Sequence, residues 1–308
     1  MIYTDRLFRM KNKSYDSIIA IGCSHMYGYE HANTKNNQNP STETWINHIG
    51  KNLDLPVYNF SLPGASNQTI LRRLYFAIEF AKTQNLSPLF ILQWTGLERY
   101  ETYVQSAHYV CKEWPWLRTL GELLENSGSK KLTAWAKNFY KLFGEQTLLF
   151  ESLKSIDHAN ILLNTNGYKT INCLAHGWDL DSIDFPHVTH YVASSEFEKN
   201  NPYNFTVEKI YLDKSFLHNE TMKKENSIDG YVSVGNQNFK HDALFSLLWK
   251  NIDSYTWWHY NAEAYTVGLK KFCIDHGLEF GPEGHPMESA NYYVAKHMLN
   301  NRNFTNLL

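Results

Sequence analysis

The stretch SIIAIGCSHMYGY, residues 17–29, decides the fold. It opens on Ile18, Ile19, Ala20 and Ile21, an apolar run closed off by polar neighbours. That is the pattern of a short strand buried on both faces of a parallel sheet. Gly22 ends the run, Cys23, Ser24 and His25 follow, and Gly28 supplies a second glycine. Open α/β sheets place their sites at the carboxyl ends of strands, and the turn that follows can aim backbone N–H groups at an anion. Ser24 stands at such an end and is the candidate nucleophile.

Working outward, the apolar spacing of Trp45, Ile46, Ile49 and Leu53 predicts a helix over 44–53,. Pro56 ends it, and Val57 to Phe60 reads as a second strand. Ser66 or Asn67 can cap a helix running from 68 to about 83,. Pro88 precedes a third buried strand, Leu89 to Gln93. A helix over 145–164, a stop at Gly167 and a strand over 169–175 add one more turn of the same wind,. Strands alternating with helices in this way predict a three-layer α/β/α sandwich around a parallel sheet.

Between and after these elements the pattern loosens. Residues 98–145 are rich in Trp and Tyr, with helices expected near 115–126 and 131–143. Residues 176–240 are the least periodic, with strand content expected at 189–193 or 230–234. Both stretches read as insertions within a single domain spanning 1–308, the second covering the carboxyl end of the sheet. A helix carrying Leu244, Phe245, Leu247 and Leu248, a helix over 261–276 and a last helix over 287–301 complete the chain.

Composition narrows the function. With 308 residues the chain can bury a full core,. A net charge of −2 with 19% charged residues lacks the basic excess that nucleic-acid binding wants,. Aromatic residues are 15% of the chain, which suits a Trp- and Tyr-rich core and is compatible with a sugar-facing surface,. Cys23, Cys111, Cys173 and Cys273 are widely spaced and form no CxxC pair, as expected of reduced thiols,. No run of 18 apolar residues and no signal-like N-terminus occurs, so a cytoplasmic protein without membrane association is expected,. P-loop, GxGxxG and HExxH motifs do not occur, so no cofactor is expected,. His187, His190 and Asp184 have metal-like spacing without a third ligand motif, so no metal is expected either,.

A serine hydroxyl needs a base to take its proton. His285 sits in the turn Gly281-Pro282-Glu283-Gly284-His285-Pro286, just before the terminal helix, on an element that can fold back to the sheet top. Glu283 and Glu288 flank it and can orient its imidazole,. For the oxyanion, the Ser24 N–H and the Gly64 N–H are candidates, with Gln93 or Thr95 as a side-chain donor from the end of the third strand,. Asn67, Trp94, Arg99 and His25 are candidates for substrate contact, Arg99 either pairing with an acidic group or bracing its loop.

Together these segments resemble the SGNH (GDSL-type) hydrolase superfamily, whose sandwich is flavodoxin-like. IIAIGCSHMYG is similar to the first block, with Cys23 in place of the usual aspartate. NFSLPGASN is similar to the second, which maps the glycine donor to Gly64, and EGHPMESANYYVAKHM to the last, which maps the base to His285. The third block departs: Gln93-Trp94-Thr95-Gly96-Leu97-Glu98-Arg99 holds no asparagine. In the last block Pro282 stands where an aspartate is usual, leaving Glu283 as the nearest acid for a Ser24–His285–Glu283 triad. The resemblance implies hydrolysis of a small acyl ester, an acetyl group on a carbohydrate among them. Acyl transfer with the same residues, or a non-catalytic carbohydrate- or protein-binding relative, remain as alternatives.

Overall fold

The computed structural model describes residues 15–34, 39–96, 99–103, 116–119, 134–139, 145–178, 207–208, 231–234, 237–240, 248, 251–260 and 267–308. In chain order the elements are β1 (Ser17–Ile21), α1 (Ser24–Tyr27), α2 (Trp45–Leu53), β2 (Val57–Asn59), α3 (Asn67–Thr83) and β3 (Pro88–Trp94). There follow β4 (Tyr100–Tyr103), β5 (Trp116–Thr119), α4 (Glu145–Thr165), β6 (Lys169–Leu174), β7 (Val207–Glu208), β8 (Tyr231–Val234) and β9 (Gln237–Lys240). The chain closes with α5 (Leu269–Asp275), α6 (Glu288–Asn300) and α7 (Arg302–Thr305).

β2, β1, β3 and β6 form one parallel sheet in that order, with Ile21 opposite Leu92 and Leu92 opposite Asn172. Parallel strands need crossovers, and α2, α3 and α4 supply them. Side-chain alternation divides the strands between two cores. Ile19, Ile21, Phe90, Leu92 and Trp94 pack with Leu74 and Ile78 of α3 and Leu153 and Ile156 of α4. Ile18, Ala20, Leu89, Ile91 and Cys173 pack with Trp45 and Ile49 of α2, Phe272 of α5 and Val294 of α6. Strands covered on both faces explain why β1 and β3 are continuous apolar runs. Residues 256–258 extend the sheet beyond β6, the Trp258 N–H donating to the Asn172 carbonyl at 2.8 Å. The expected sandwich is present.

Local signals set the helix starts. The Thr44 side chain accepts from the Asn47 N–H, and Ser66 and Thr69 form a reciprocal capping box; such caps contribute about 1 kcal/mol each. The helix expected near 115–126 is corrected over the four residues described there: Trp116–Thr119 is a strand, paired antiparallel with Tyr100–Tyr103, and the rest of that stretch lies outside the described residues. Trp, Tyr and Thr favour a half-buried pleated surface, and a cross-strand partner outweighs a helical spacing. Glu101 of β4 anchors on α3, accepting from Arg72 Nε at 2.8 Å, Arg72 Nη2 at 2.9 Å and Thr69 Oγ1 at 2.7 Å. The expectation near 131–143 meets a helix at 134–139. Strand 230–234 corresponds to β8, part of an antiparallel β7-β8-β9 sheet. The strand at 189–193, Leu244, Phe245, Leu247, Cys111, Asp184, His187 and His190 lie outside the described residues. Among the described residues no helix is long and apolar enough to cross a membrane, and Cys23, Cys173 and Cys273 are buried free thiols.

Candidate active site

Ser24 begins α1, a single turn opened by Cys23 and closed by Gly28 at φ 74°. Gly22 precedes it because the chain is tight there: a β-carbon would stand 3.0 Å from Gln93 Cβ and Met26 Cβ. Phe60 N–H donates to the Ala20 carbonyl and Leu62 N–H to the Gly22 carbonyl, which carries the second segment up beside Ser24. That segment turns at Gly64, whose φ of 72° suits glycine,. On the other side β1 pairs with β3 up to Ile21 opposite Leu92, and Thr95 follows the end of β3.

His285 arrives from the far end of the chain. Its imidazole Nε2 lies 2.9 Å from Ser24 Oγ. Its Nδ1 lies 2.7 Å from Glu30 Oε2, not from Glu283. The expected acid is therefore corrected: Glu283 is exposed and contributes its backbone N–H, which donates to Glu30 Oε1 at 2.8 Å. The His285 N–H also donates to Glu30 Oε2, at 3.1 Å. A carboxylate with these donors fixes the ring, with the proton on Nδ1 and the Nε2 lone pair towards Ser24.

The loop after Ser24 and the loop around His285 are stapled by three consecutive residues. Glu30 makes the contacts just given. His31 Nε2–H donates to the Pro286 carbonyl at 3.0 Å, and the Ala32 N–H donates to Glu288 Oε1 at 2.8 Å. Asn291 of α6 adds a bond from its amide to the Pro286 carbonyl and accepts the Trp45 N–H at the start of α2. Glu30 sits at φ 73°, a left-handed conformation that costs a non-glycine residue about 1 kcal/mol or more,. Such strain persists where surrounding contacts over-determine it, and it gathers at functional sites. Gly281 is required for the same contact, since a β-carbon there would stand 2.7 Å from Glu30 Oε1.

Burial pushes the His285 imidazole below its ordinary value, and the Glu30 carboxylate pulls it back only in part. Burial would raise the Glu30 carboxyl, but the N–H donors of Glu283 and His285 outweigh it and hold the group below its usual range. At neutral pH the pair is thus a neutral imidazole against a carboxylate, the state in which a base can accept the Ser24 proton.

The other expected contacts sort by burial. Asn67 is fully enclosed: its amide oxygen accepts the Thr95 N–H at 2.9 Å and its nitrogen donates to Ser152 Oγ at 2.9 Å. It braces α3, the end of β3 and α4 and cannot face a substrate. Trp94 is also core, its indole N–H donating to Asn172 Oδ1. Gln93 is fully buried on the Leu89–Ile91 face of β3, one residue below the rim. Thr95 is buried with a hydroxyl that has no hydrogen-bond partner among the described residues. Arg99 braces, donating to the Ala65 carbonyl at 3.3 Å and lying 3.3 Å from His176 Nε2. His25 is buried between two rings, 5.3 Å from His285 and 4.8 Å from His176 centroid to centroid. Burial, with His176, His285, Arg99 and Lys270 nearby, holds His25 well below its ordinary value, and burial with Arg99 lowers His176 to about 3.

Sequence reasoning missed Glu30 and His176. Glu30 opens a polar loop that carried no periodic signal, and its contact depends on a left-handed residue no composition reveals.

No protein-family model matches the chain, and no curated protein matches it. Among solved structures it is similar to a member of the lipolytic protein G-D-S-L family from Veillonella parvula, at 12% identity over 93% of this chain and 97% of that one, with a TM-score of 0.38. A likeness of that size has no bearing on the role of any residue here.

Proposed function

We propose that the chain is a serine ester hydrolase. The observation that carries this reading is the linked set Ser24 Oγ to His285 Nε2 at 2.9 Å and His285 Nδ1 to Glu30 Oε2 at 2.7 Å. Nucleophile and base within hydrogen-bond reach, with a third group orienting the base, is the arrangement covalent acyl transfer needs.

In this mechanism Ser24 Oγ attacks the acyl carbonyl as His285 Nε2 takes its proton. Glu30 stabilises the imidazolium and stays ionised. The carbonyl oxygen, now negative, is held by the N–H groups of Ser24 and Gly64 and by the Thr95 hydroxyl. The first N–H of a helix has no intrahelical partner, so that of Ser24 is available. We assign to Thr95 the place of the absent asparagine of the third block: it follows β3 at the carboxyl end of the sheet, and a buried hydroxyl without a hydrogen-bond partner among the described residues is costly to keep in a folded protein,. Collapse expels the alcohol, which receives the proton from His285. Water then attacks the acyl-serine, giving its proton to His285, and the acid leaves as Ser24 regains its proton.

The substrate class we propose is a small acyl ester, acetyl being the simplest, with a carbohydrate hydroxyl as one source of the alcohol. Hydrolysis of 4-nitrophenyl acetate by wild type, Ser24→Ala and His285→Ala is the test. Turnover in wild type that falls at least about 10³-fold in both variants supports it. Equal rates in all three folded proteins would leave only a binding role for the fold.

A further inference from the structure

Resting on the hydrolase reading, we infer that His31 is a positioning residue of the same site: through its Nε2–H it holds the peptide that follows the base, and so sets the place at which His285 meets Ser24. His31 is 1% exposed, in the loop that leaves the nucleophile turn. Its Nε2 lies 3.0 Å from the Pro286 carbonyl, which can only accept, so the ring carries its proton there,. Its Nδ1, 2.8 Å from Ser41 Oγ, then accepts the Ser41 hydroxyl. The same hydroxyl oxygen accepts the Glu43 N–H at 3.0 Å. Ser41 and His31 repeat the atom types of the nucleophile and its base, but both side chains are buried. The pair orients a donor; it does not receive an acyl group.

The contact bears on the base because of what Pro286 lacks. Its nitrogen has no hydrogen, so the carbonyl is the one backbone group by which the residue after His285 can be hydrogen-bonded. Two donors converge on that oxygen, His31 Nε2–H and, at 2.9 Å, the Asn291 amide, with the two nitrogens 3.1 Å apart. Asn291 belongs to α6, into which His285 leads, and so moves with the base. His31 belongs to the nucleophile's loop and does not. Glu30 and His31, adjacent in sequence, therefore grip two adjacent residues of the base loop: Glu30 the His285 N–H and ring, His31 the Pro286 carbonyl. A loop held at one point can pivot about it. The second point fixes the 2.9 Å between His285 Nε2 and Ser24 Oγ, and a misplacement of about 1 Å at such a distance costs about 100-fold in rate.

Matched variants at position 31 test this. His31→Gln keeps an N–H donor where Nε2 stands. His31→Asn still reaches Ser41 but ends short of Pro286, and His31→Leu fills the space without donating; either carries the comparison if the other does not fold. The readout is kcat and KM for 4-nitrophenyl acetate against pH, each protein with a thermal melt. Expected is a kcat about 100-fold below wild type in His31→Asn and His31→Leu with KM nearly unchanged, and most of that loss restored in His31→Gln. Glu30 raises the base's pKa, so a loosened loop should also move the acid limb to lower pH. Because both residues act through one loop, His31→Asn added to Glu30→Gln should cost far less than it does alone. A merely structural role would lower the melting temperature and leave kcat and the acid limb in place. That result, a His31→Gln as impaired as His31→Asn, or losses that multiply in the double variant would overturn the inference while leaving the hydrolase intact. No turnover of any ester by wild type would overturn both.

Discussion

Replacing Glu30 with glutamine isolates what the carboxylate does. In the wild type its two oxygens accept the His285 Nδ1–H at 2.7 Å, the His285 N–H at 3.1 Å and the Glu283 N–H at 2.8 Å. An amide of the same shape has one accepting oxygen, so its NH₂ must face a donor. If that donor is the ring, His285 adopts the other tautomer and presents Nε2–H to Ser24 instead of a lone pair. Loss of the correct tautomer and of the charge that stabilises the imidazolium costs a serine triad about 10⁴-fold in kcat, or about 5.4 kcal/mol at 1.36 kcal/mol per decade. The assay is kcat/KM for 4-nitrophenyl acetate against pH, with thermal melts to show that both proteins are folded. Activity requires neutral His285 and is lost as pH falls through its pKa. Glu30 raises that pKa, so in Glu30→Gln the acid limb should move to lower pH while the plateau falls by about 10³ to 10⁴. Glu283→Gln, which keeps its backbone N–H, should stay within about threefold of wild type. A Glu30→Gln rate close to wild type, or an acid limb displaced upwards, would refute the assignment.

Further outcomes follow from the same contacts. Thr95→Val removes a hydroxyl at nearly constant volume and should lower kcat about 100-fold or more with little change in KM; an unchanged kcat removes Thr95 from the oxyanion site. Gly281→Ala drives a β-carbon to 2.7 Å from Glu30 Oε1, and its kcat should fall towards that of Glu30→Gln, with a wild-type rate meaning that the loop can yield. Acid stability should depend on His25 and His176, whose folded pKa values burial holds below the 6.5 of the free side chain. The His176 contribution is complete above about pH 6.5 and is lost as pH falls towards about 3, and that of His25 is lost in the same direction,. Urea melts at pH 7.5 and pH 5 should show that loss in wild type and less of it in His176→Asn.

What the sequence revealed tracks how local each cause is. β1 and β3 were readable because strands covered on both faces need unbroken apolar runs, and Ser24 and His285, which the structure brings to 2.9 Å, because each sits in its own glycine-marked turn. Trp94 and Asn67 misled because the end of a strand or the start of a helix does not say which way a side chain faces; both turn inward, onto Asn172 and Ser152. Glu30 was illegible for a deeper reason. Its role joins two loops at opposite ends of the chain, and only the stapling of Glu30, His31 and Ala32 onto residues 281–291 makes the nearest acid in sequence, Glu283, the wrong one.

The central claim is that Ser24 is an activated nucleophile with His285 as its base. Labelling with a fluorophosphonate probe, followed by peptide mapping, tests it most directly. Expected is one adduct, on Ser24, in wild type and none in His285→Ala; a folded wild-type protein that takes no label, or one labelled equally with and without His285, would contradict it.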